Sequence, residues 1–217
     1  MVLLFLATGL LAGAALVVLL TWTRLDPHLR FWPAPSHWSW QSLLFWSLFR
    51  ILNIATFALA ALDWRPWEGW SADRLLGGAV ALTGGMLYAL ACYALGRGNL
   101  YCGRDGLVTQ GIYRWTRNPQ YAAAIPAFLG LALASHSWGA LALTILLTAT
   151  FMLMALAEEP WLEATYAEDY RAYRRSVARF YNWSEAVQCA RANLSRLSII
   201  SKSGLPVFEK NDAKTKG

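Results

Sequence analysis

The chain has 217 residues, of which 57% are hydrophobic and only 15% charged, with a mean hydropathy of +0.34 and a formal net charge of +6. This balance is far from soluble-domain averages and leaves room for one membrane domain and little else. The positive excess needs no nucleic acid to explain it, because basic residues facing an anionic leaflet account for it, and the three cysteines, Cys92, Cys102 and Cys189, have neither the pairing nor the spacing of a disulfide framework or a metal site.

The first apolar stretch covers residues 2–21. It lacks a basic segment ahead of its apolar core and a small-residue cleavage site before Trp22, so it reads as a retained anchor rather than a signal peptide. Apolar stretches at 42–62 and 75–95 follow, each close to the ~20 residues that cross a hydrocarbon core. Arg50 and Asn53 lie inside the second, three residues apart and thus on one helical face. Either they line a polar cavity, or Arg50 snorkels and Asn53 bonds a neighbouring helix. Gly77, Gly78, Gly84 and Gly85 in the third stretch mark a close-packing surface.

Between residues 120 and 157 the apolar sequence is interrupted only by Gly, Pro, Ser, Thr, one His and the initial Gln. This predicts a hairpin of two spans, 121–135 and 138–157, the first short and containing Pro126 and Gly130. His136 sits in the turn and receives no role. Tryptophans 22, 32, 38, 40, 64, 67, 70, 138 and 183 fall at or beyond the ends of apolar runs, where amphipathic rings settle at headgroup level.

Five spans with the N-terminus outside place Arg24, Arg30, Arg97, Arg104, Arg114, Arg117 and every Lys and Arg from Arg171 onward on the cytoplasmic side. The other side receives Arg65 and Arg74, offset by Asp63, Glu68 and Asp73. This positive-inside pattern predicts a multi-pass protein with a cytoplasmic C-terminus, in the inner or plasma membrane of a bacterial cell. After Ala157, residues Leu162, Tyr166, Tyr170, Tyr173, Val177 and Phe180 form an apolar stripe at helical spacing, with Arg171 and Arg175 pointing away. The expected fold is all-α: a multi-pass integral membrane helical bundle of about five spans, closed by a C-terminal amphipathic helix that packs back on the spans or lies in the interface. The membrane domain covers 1–183, and a polar cytoplasmic tail covers 184–217.

The hairpin carries a polar cluster at each end of its chain: residues 111–121, with Arg117, Asn118 and Pro119, and the pair Glu158 and Glu159. Singly, each has an ordinary explanation, a basic anchor before a proline-started helix and a solvated helix end. Together they return to one membrane face. There the two acids oppose the prevailing positive charge and call for a bound cation, or for Arg114 or Arg117. Opposite charges converging at a bilayer surface suit a zwitterionic ligand.

Residues 105–121, followed by Glu158 and Glu159 and then by Leu162, Tyr166, Tyr170, Tyr173, Val177 and Arg179, resemble a known family. It is that of the membrane-embedded methyltransferases typified by isoprenylcysteine carboxyl methyltransferase and the phospholipid methyltransferases. Their shared pattern is Gly-x-Tyr-x-x-x-Arg-His-Pro-x-Tyr, an apolar run, then Glu-Glu-x-x-Leu, and the likeness covers 98–183. The resemblance implies S-adenosylmethionine as methyl donor, held without a Rossmann domain, and the chain indeed has no Gly-x-Gly-x-x-Gly after a strand. It implies that Tyr113, Asn118, Pro119 and Tyr121 line the cofactor site, together with the backbone of Asp105, Gly106, Leu107 and Val108, and that Glu158 takes the cofactor's ammonium group. The family's His is Asn118 here, an amide that still donates a hydrogen bond to a carboxylate.

On the acceptor side the candidates are Met154, Arg50, Arg114 and Glu159. No residue reads as a dedicated general base, since a sulfonium methyl group is already activated and positioning does most of the work. An amine acceptor would have to arrive neutral, with Glu159 or water assisting. The carboxyl methyltransferases place an Arg about one turn before the acidic pair, and this chain has Met154 there, which disfavours a prenylcysteine carboxylate and favours a lipid or other hydrophobic acceptor. Two other readings remain. Some membrane sterol reductases share the Arg-His-Pro-x-Tyr and Glu-Glu elements with NADPH as cofactor, which asks for a longer chain and basic residues for the 2'-phosphate. A noncatalytic membrane protein could also retain the fold.

Overall fold

The computed structural model describes residues 1–181 except 27, 66–68, 70, 101, 102 and 104. The expected tail at 184–217, and with it Trp183 and Cys189, lies outside the described residues, as do Glu68, Trp67, Trp70, Cys102 and Arg104. The helices are α1 (Val2–Leu25), α2 (Trp40–Asp63), α3 (Ala72–Leu95), a single turn α4 (Arg97–Leu100), α5 (Pro119–Ser135) and α6 (Trp138–Ser176), with a 3-10 turn at Gly111–Arg114. Among the described residues there is no strand.

Four helices, α1, α2, α3 and α6, are long and apolar enough to cross a membrane. The fifth, α5, has 17 residues, about 26 Å at 1.5 Å per residue, against a hydrocarbon core of about 30 Å. It is correspondingly shielded. Its alanines at 122, 123, 124, 132 and 134 are buried between α3 and α6. Pro119 opens it at a position where a missing N–H costs nothing. His136 closes it in the left-handed conformation (φ 52°), and Ser137 then caps α6 by accepting from Ala140 N–H at 3.0 Å. Ser137 Oγ also donates to Asp63 at the end of α2 (2.6 Å), and His136 contacts Asp73 at the start of α3 (2.5 Å). The hairpin turn is thus tied to the ends of two other helices, remote from the polar cluster.

Two seams hold the bundle. In one, Leu16 and Leu20 of α1, Phe45, Leu52 and Leu59 of α2, and Leu143, Leu147 and Phe151 of α6 form a close-packed apolar core. In the other, α3 meets α5 through glycines. A Cβ on Gly77 would lie 2.6 Å from Ala134 N and one on Gly84 2.8 Å from Ala127 Cβ, while one on Gly78 or Gly85 would meet nothing within 4 Å. Only one member of each glycine pair makes the seam. Gly84→Ala is therefore expected to lower stability by about 1–3 kcal/mol through overpacking, and Gly78→Ala to leave it unchanged or slightly raised. Thermal unfolding in detergent measures both, and equal effects would contradict this seam. Helices α2 and α3 both lean on α5 and share no comparable seam with each other.

The C-terminal amphipathic segment is split: Leu162 and Tyr166 continue the helix that begins at Trp138, and a second helix, carrying Tyr170 and Tyr173, follows a kink at Ala167. The first runs on past Ala157, through Glu158, Glu159 and Pro160, as far as that kink (φ 46°, ψ −117°). Val177 and Phe180 fall beyond the end of the second at Ser176. The helix stops there because the backbone finds other partners: Arg117 N–H donates to Ala178 O at 2.9 Å. Pro160 leaves a second mark. Lacking an N–H, it cannot bond the carbonyl of Leu156, and Arg24 Nη1 donates to that oxygen instead, at 3.0 Å.

Candidate functional site

The loop entering α5 is fixed by the chain that follows α6. Thr116 Oγ1 and Asn118 Nδ2 both donate to Arg179 O at 3.0 Å, Asn118 N–H donates to Thr116 Oγ1 at 3.2 Å, and Tyr181 OH donates to Ala122 O at 2.5 Å. Tyr113 is buried in the 3-10 turn, where its carbonyl accepts from Tyr173 OH (2.6 Å) and its hydroxyl donates to Ala91 O (3.3 Å). Burial, followed by nearby Cys92 and Glu158, pushes the Tyr113 hydroxyl well above the usual phenol range.

The two acids, adjacent in sequence, have opposite surroundings. Glu158 lies just beyond the apolar stretch that ends at Ala157. It accepts from Tyr121 OH (2.5 Å) and Trp32 Nε1 (2.7 Å), both on Oε1, and its half-buried carboxyl lines a cavity. Desolvation raises its pKa to about 7, against the two hydrogen bonds and with a small push from Glu159. Glu159 is gripped by Arg179 through Nε and Nη2, both at 2.7 Å, and by Arg117 Nη2 at 3.1 Å. Burial works against its charge, but the Arg179 bond and the two guanidinium charges outweigh that and hold it below the usual range. The same bond raises Arg179.

The cavity holds about 1030 Å³ of empty space including its mouth. One end is polar and the other greasy. The polar end is formed by Gly106, Leu107, Val108, Tyr113, Asn118, Tyr121 and Glu158, and the apolar end by Trp46, Phe49, Tyr88, Phe151 and Met154. Trp161, Leu162, Tyr166, Tyr170 and Tyr173 from the outer part of α6 cover it. Arg117 also lines it, donating from Nη1 to Tyr170 OH (3.4 Å), while its buried Nε has no hydrogen-bond partner among the described residues. At the apolar end an adjoining crevice of about 740 Å³ shares Phe49, Tyr88 and Phe151 and runs between α2 and α3 over α5.

Of the residues expected from sequence, Gly106, Leu107, Val108, Tyr113, Asn118, Tyr121, Met154 and Glu158 come together around this cavity. Asp105 is exposed and outside it, although its N–H donates to Asn99 Oδ1 (3.1 Å). Pro119 is buried on another side, in a shallow apolar recess with Ile112 and Thr116. Arg114 is exposed, and Arg50 is exposed beside Trp46 at 6.0 Å; neither lines the cavity. Asn53 donates to Phe49 O within its own helix (2.7 Å) and lines the adjoining crevice. Glu159, expected on the acceptor side, has its carboxylate turned to the two arginines.

Three contributors escaped sequence reasoning. Trp32 reaches Glu158 across 126 residues of chain, and its only sequence signal was its place among the border tryptophans. Asn99 donates to Leu95 O (3.3 Å) and Gly106 O (3.1 Å), pinning the 105–106 backbone to the end of α3. Arg179 was part of the pattern without a role. Among the described residues no group of three or more His, Cys, Asp or Glu side chains could hold a metal ion.

The hairpin thus sets a carboxylate against a tyrosine- and asparagine-lined cavity, graded from polar to apolar, in a helical bundle with four helices long and apolar enough to cross a membrane. Residues 72–169 match the family model described as phospholipid methyltransferase, a segment that runs from α3 into the outer part of α6 and contains Tyr113, Asn118, Tyr121 and Glu158. Over that segment, 98 of the 217 residues, the chain is similar to the phospholipid methyltransferase family. No curated protein and no solved structure matches it.

Proposed function

We propose that the protein is an integral membrane methyltransferase that uses S-adenosylmethionine and acts on a lipid or other hydrophobic acceptor. The observation that carries this reading is the state of Glu158. Its hydrogen bonds come from two neutral donors on one oxygen, so a half-buried carboxylate facing a cavity has no cation of its own among the described residues. Arg117 Nε, lacking a partner, offers the complementary donor. A zwitterionic amino-acid moiety fits that pair: Glu158 for the ammonium, Arg117 Nε and the Asn118 amide for the carboxylate. Tyr113, Tyr121 and the backbone at 106–108 would enclose the rest, with Asp105 and Pro119 shaping the backbone that does so.

The bound cofactor supplies a methyl group already activated by its sulfonium. What the chain adds is orientation and exclusion of water, from the aromatic cover of α6 and the packed loop at 116–118. Glu159 is a positioning residue, since its charge is committed to Arg117 and Arg179; an amine acceptor would release its proton to water. Met154 and the crevice between α2 and α3 give the acceptor an apolar approach, and Arg50 and Arg114 lie too far out to supply an anchoring cation. The basic face, and with it the site and the C-terminus, is assigned to the cytoplasm, the N-terminus to the outside.

Isothermal titration of the purified protein tests the cofactor. S-adenosylhomocysteine is expected to bind and NADPH not to, and the reverse would replace this reading with a reductase. For the acceptor, farnesylcysteine analogues are expected to show little or no methylation beside lipid-like amines, because a carboxylate at Met154 would lack a cation in a low-dielectric pocket. Robust turnover of a prenylcysteine would overturn that assignment.

A further inference from the structure

Connecting loops usually run over the surface, yet in the loop between α1 and α2 both Phe31 and Trp32 are buried. Phe31 N–H donates to Thr23 Oγ1 in the last turn of α1 at 3.2 Å. The Trp32 indole stacks on Phe45 of α2 with ring centroids 4.1 Å apart, and Trp46 meets it edge-on at 6.0 Å. Packing on two sides fixes the ring, and its Nε1–H donates to Glu158 Oε1 at 2.7 Å. Trp32 stands ahead of residues 72–169, the segment that the family model matches.

Tyr121 OH donates to the same oxygen, and among the described residues Oε2 of Glu158 makes no hydrogen bond. We infer that Trp32 is a positioning residue for Glu158: its indole N–H, with Tyr121, fixes Oε1 and so reserves Oε2 for the ammonium of the ligand. The inference rests on the methyltransferase reading for the identity of that ligand, and on geometry alone for the hold on Glu158. The same bond favours the ionised carboxylate and offsets part of the burial that raises its pKa to about 7. No other charged or titratable neighbour takes this part. Glu159, next on the helix, pushes the other way, Arg117 is held by Glu159 and Tyr170 OH, Tyr113 OH donates to Ala91 O, and Arg24 is on the Leu156 carbonyl. Tyr88 of α3 and Tyr166 and Tyr173 of α6 line the cavity without bonding Glu158, and α2 brings only Trp46 and Phe49 to it.

Trp32→Phe keeps a ring on Phe45 and removes the donor, and two measurements on the purified protein read the consequence. The first is titration with S-adenosylhomocysteine and with its deamino analogue, which lacks only the ammonium group. Loss of one bond to the charged form should move the midpoint of the pH profile up by about one unit, so the variant should bind S-adenosylhomocysteine about fivefold more weakly at about pH 7 and nearly as the wild type does at about pH 9. Its affinity for the deamino analogue should be that of the wild type throughout, and Trp38→Phe, at an exposed tryptophan of the same loop, should change neither. An equal loss for both ligands at every pH would make Trp32 a packing residue, and an unchanged profile would remove it from the site; either overturns the inference. The second measurement is infrared difference spectroscopy of the ligand-free protein, in which the Glu158 carboxyl is the titrating band that Glu158→Gln abolishes. Trp32→Phe should move the midpoint of that band up by the same amount. If it does so in a protein that binds no S-adenosylhomocysteine, Trp32 holds Glu158 and the methyltransferase reading falls; if the band stays in place, the inference falls whatever the ligand does.

Discussion

Glu158→Gln is expected to weaken S-adenosylhomocysteine binding by about one to two orders of magnitude. The variant keeps an acceptor oxygen for Tyr121 and Trp32 but loses the charge that meets the ligand's ammonium, and a charge-assisted hydrogen bond in a shielded site contributes about 1.5–3 kcal/mol. The same carboxyl predicts a pH dependence. With its pKa raised by burial to about 7, and with a cation binding only its ionised form, wild-type affinity should be full well above pH 7. It should fall by about tenfold per unit below. The Glu158→Gln protein should lack that slope. Titrations at several pH values between 6 and 8 measure both effects, and equal affinities in the two proteins would remove Glu158 from the site.

Glu159→Gln should act on the fold instead. It leaves Arg117, buried, and Arg179, partly exposed, facing each other without the carboxylate between them. Removing one partner of a buried ion pair costs about 3–5 kcal/mol, and the exposure of Arg179 puts this case near 3. For a chain of this size that lowers the melting temperature by about 6–12 °C, whereas Glu158→Gln, which removes a half-buried charge with no partnering cation, should not lower it. The sign with pH follows from the same pairing. Glu159 is held below its ordinary value, so its contribution is present above the ordinary carboxylate range and disappears as pH falls through the lowered pKa. Thermal melts of the two variants in the same detergent decide the matter; matched stabilities would mean the arginine clamp does not hold the loop.

The parts of the site legible in the sequence are those carried on short, contiguous stretches. Tyr113, Asn118 and Tyr121 follow one another through a turn and a proline-started helix, and the carboxylate of Glu158 is brought to them by a hairpin whose two apolar halves can be measured by eye. The division of labour between Glu158 and Glu159 was not legible from the residues alone. It depends on Trp32 and Arg179, which reach the pair through tertiary contacts that leave no spacing in the sequence. The same holds for the outer part of α6. The change in composition after Ala157 suggested a new element, yet the helix runs on through Pro160, where Arg24 takes up the freed carbonyl, and breaks only at Ala167. Of the glycines at 77, 78, 84 and 85, sequence could say that they pack, but only the facing positions on α5 decide which two do.

The bonds from Thr116 and Asn118 to the Arg179 carbonyl, 63 and 61 residues further along the chain, bear on the order in which the protein is made. Synthesis proceeds from the N-terminus, so the hairpin of α5 and α6 is complete, with Glu158 already beside Tyr121, before the backbone that fixes the loop at 116–118 has been added. A nascent chain that has inserted its spans therefore still lacks the hydrogen bonds that fix this loop. Its last ties to the start of α5 can form only once residues 178–181 have been added.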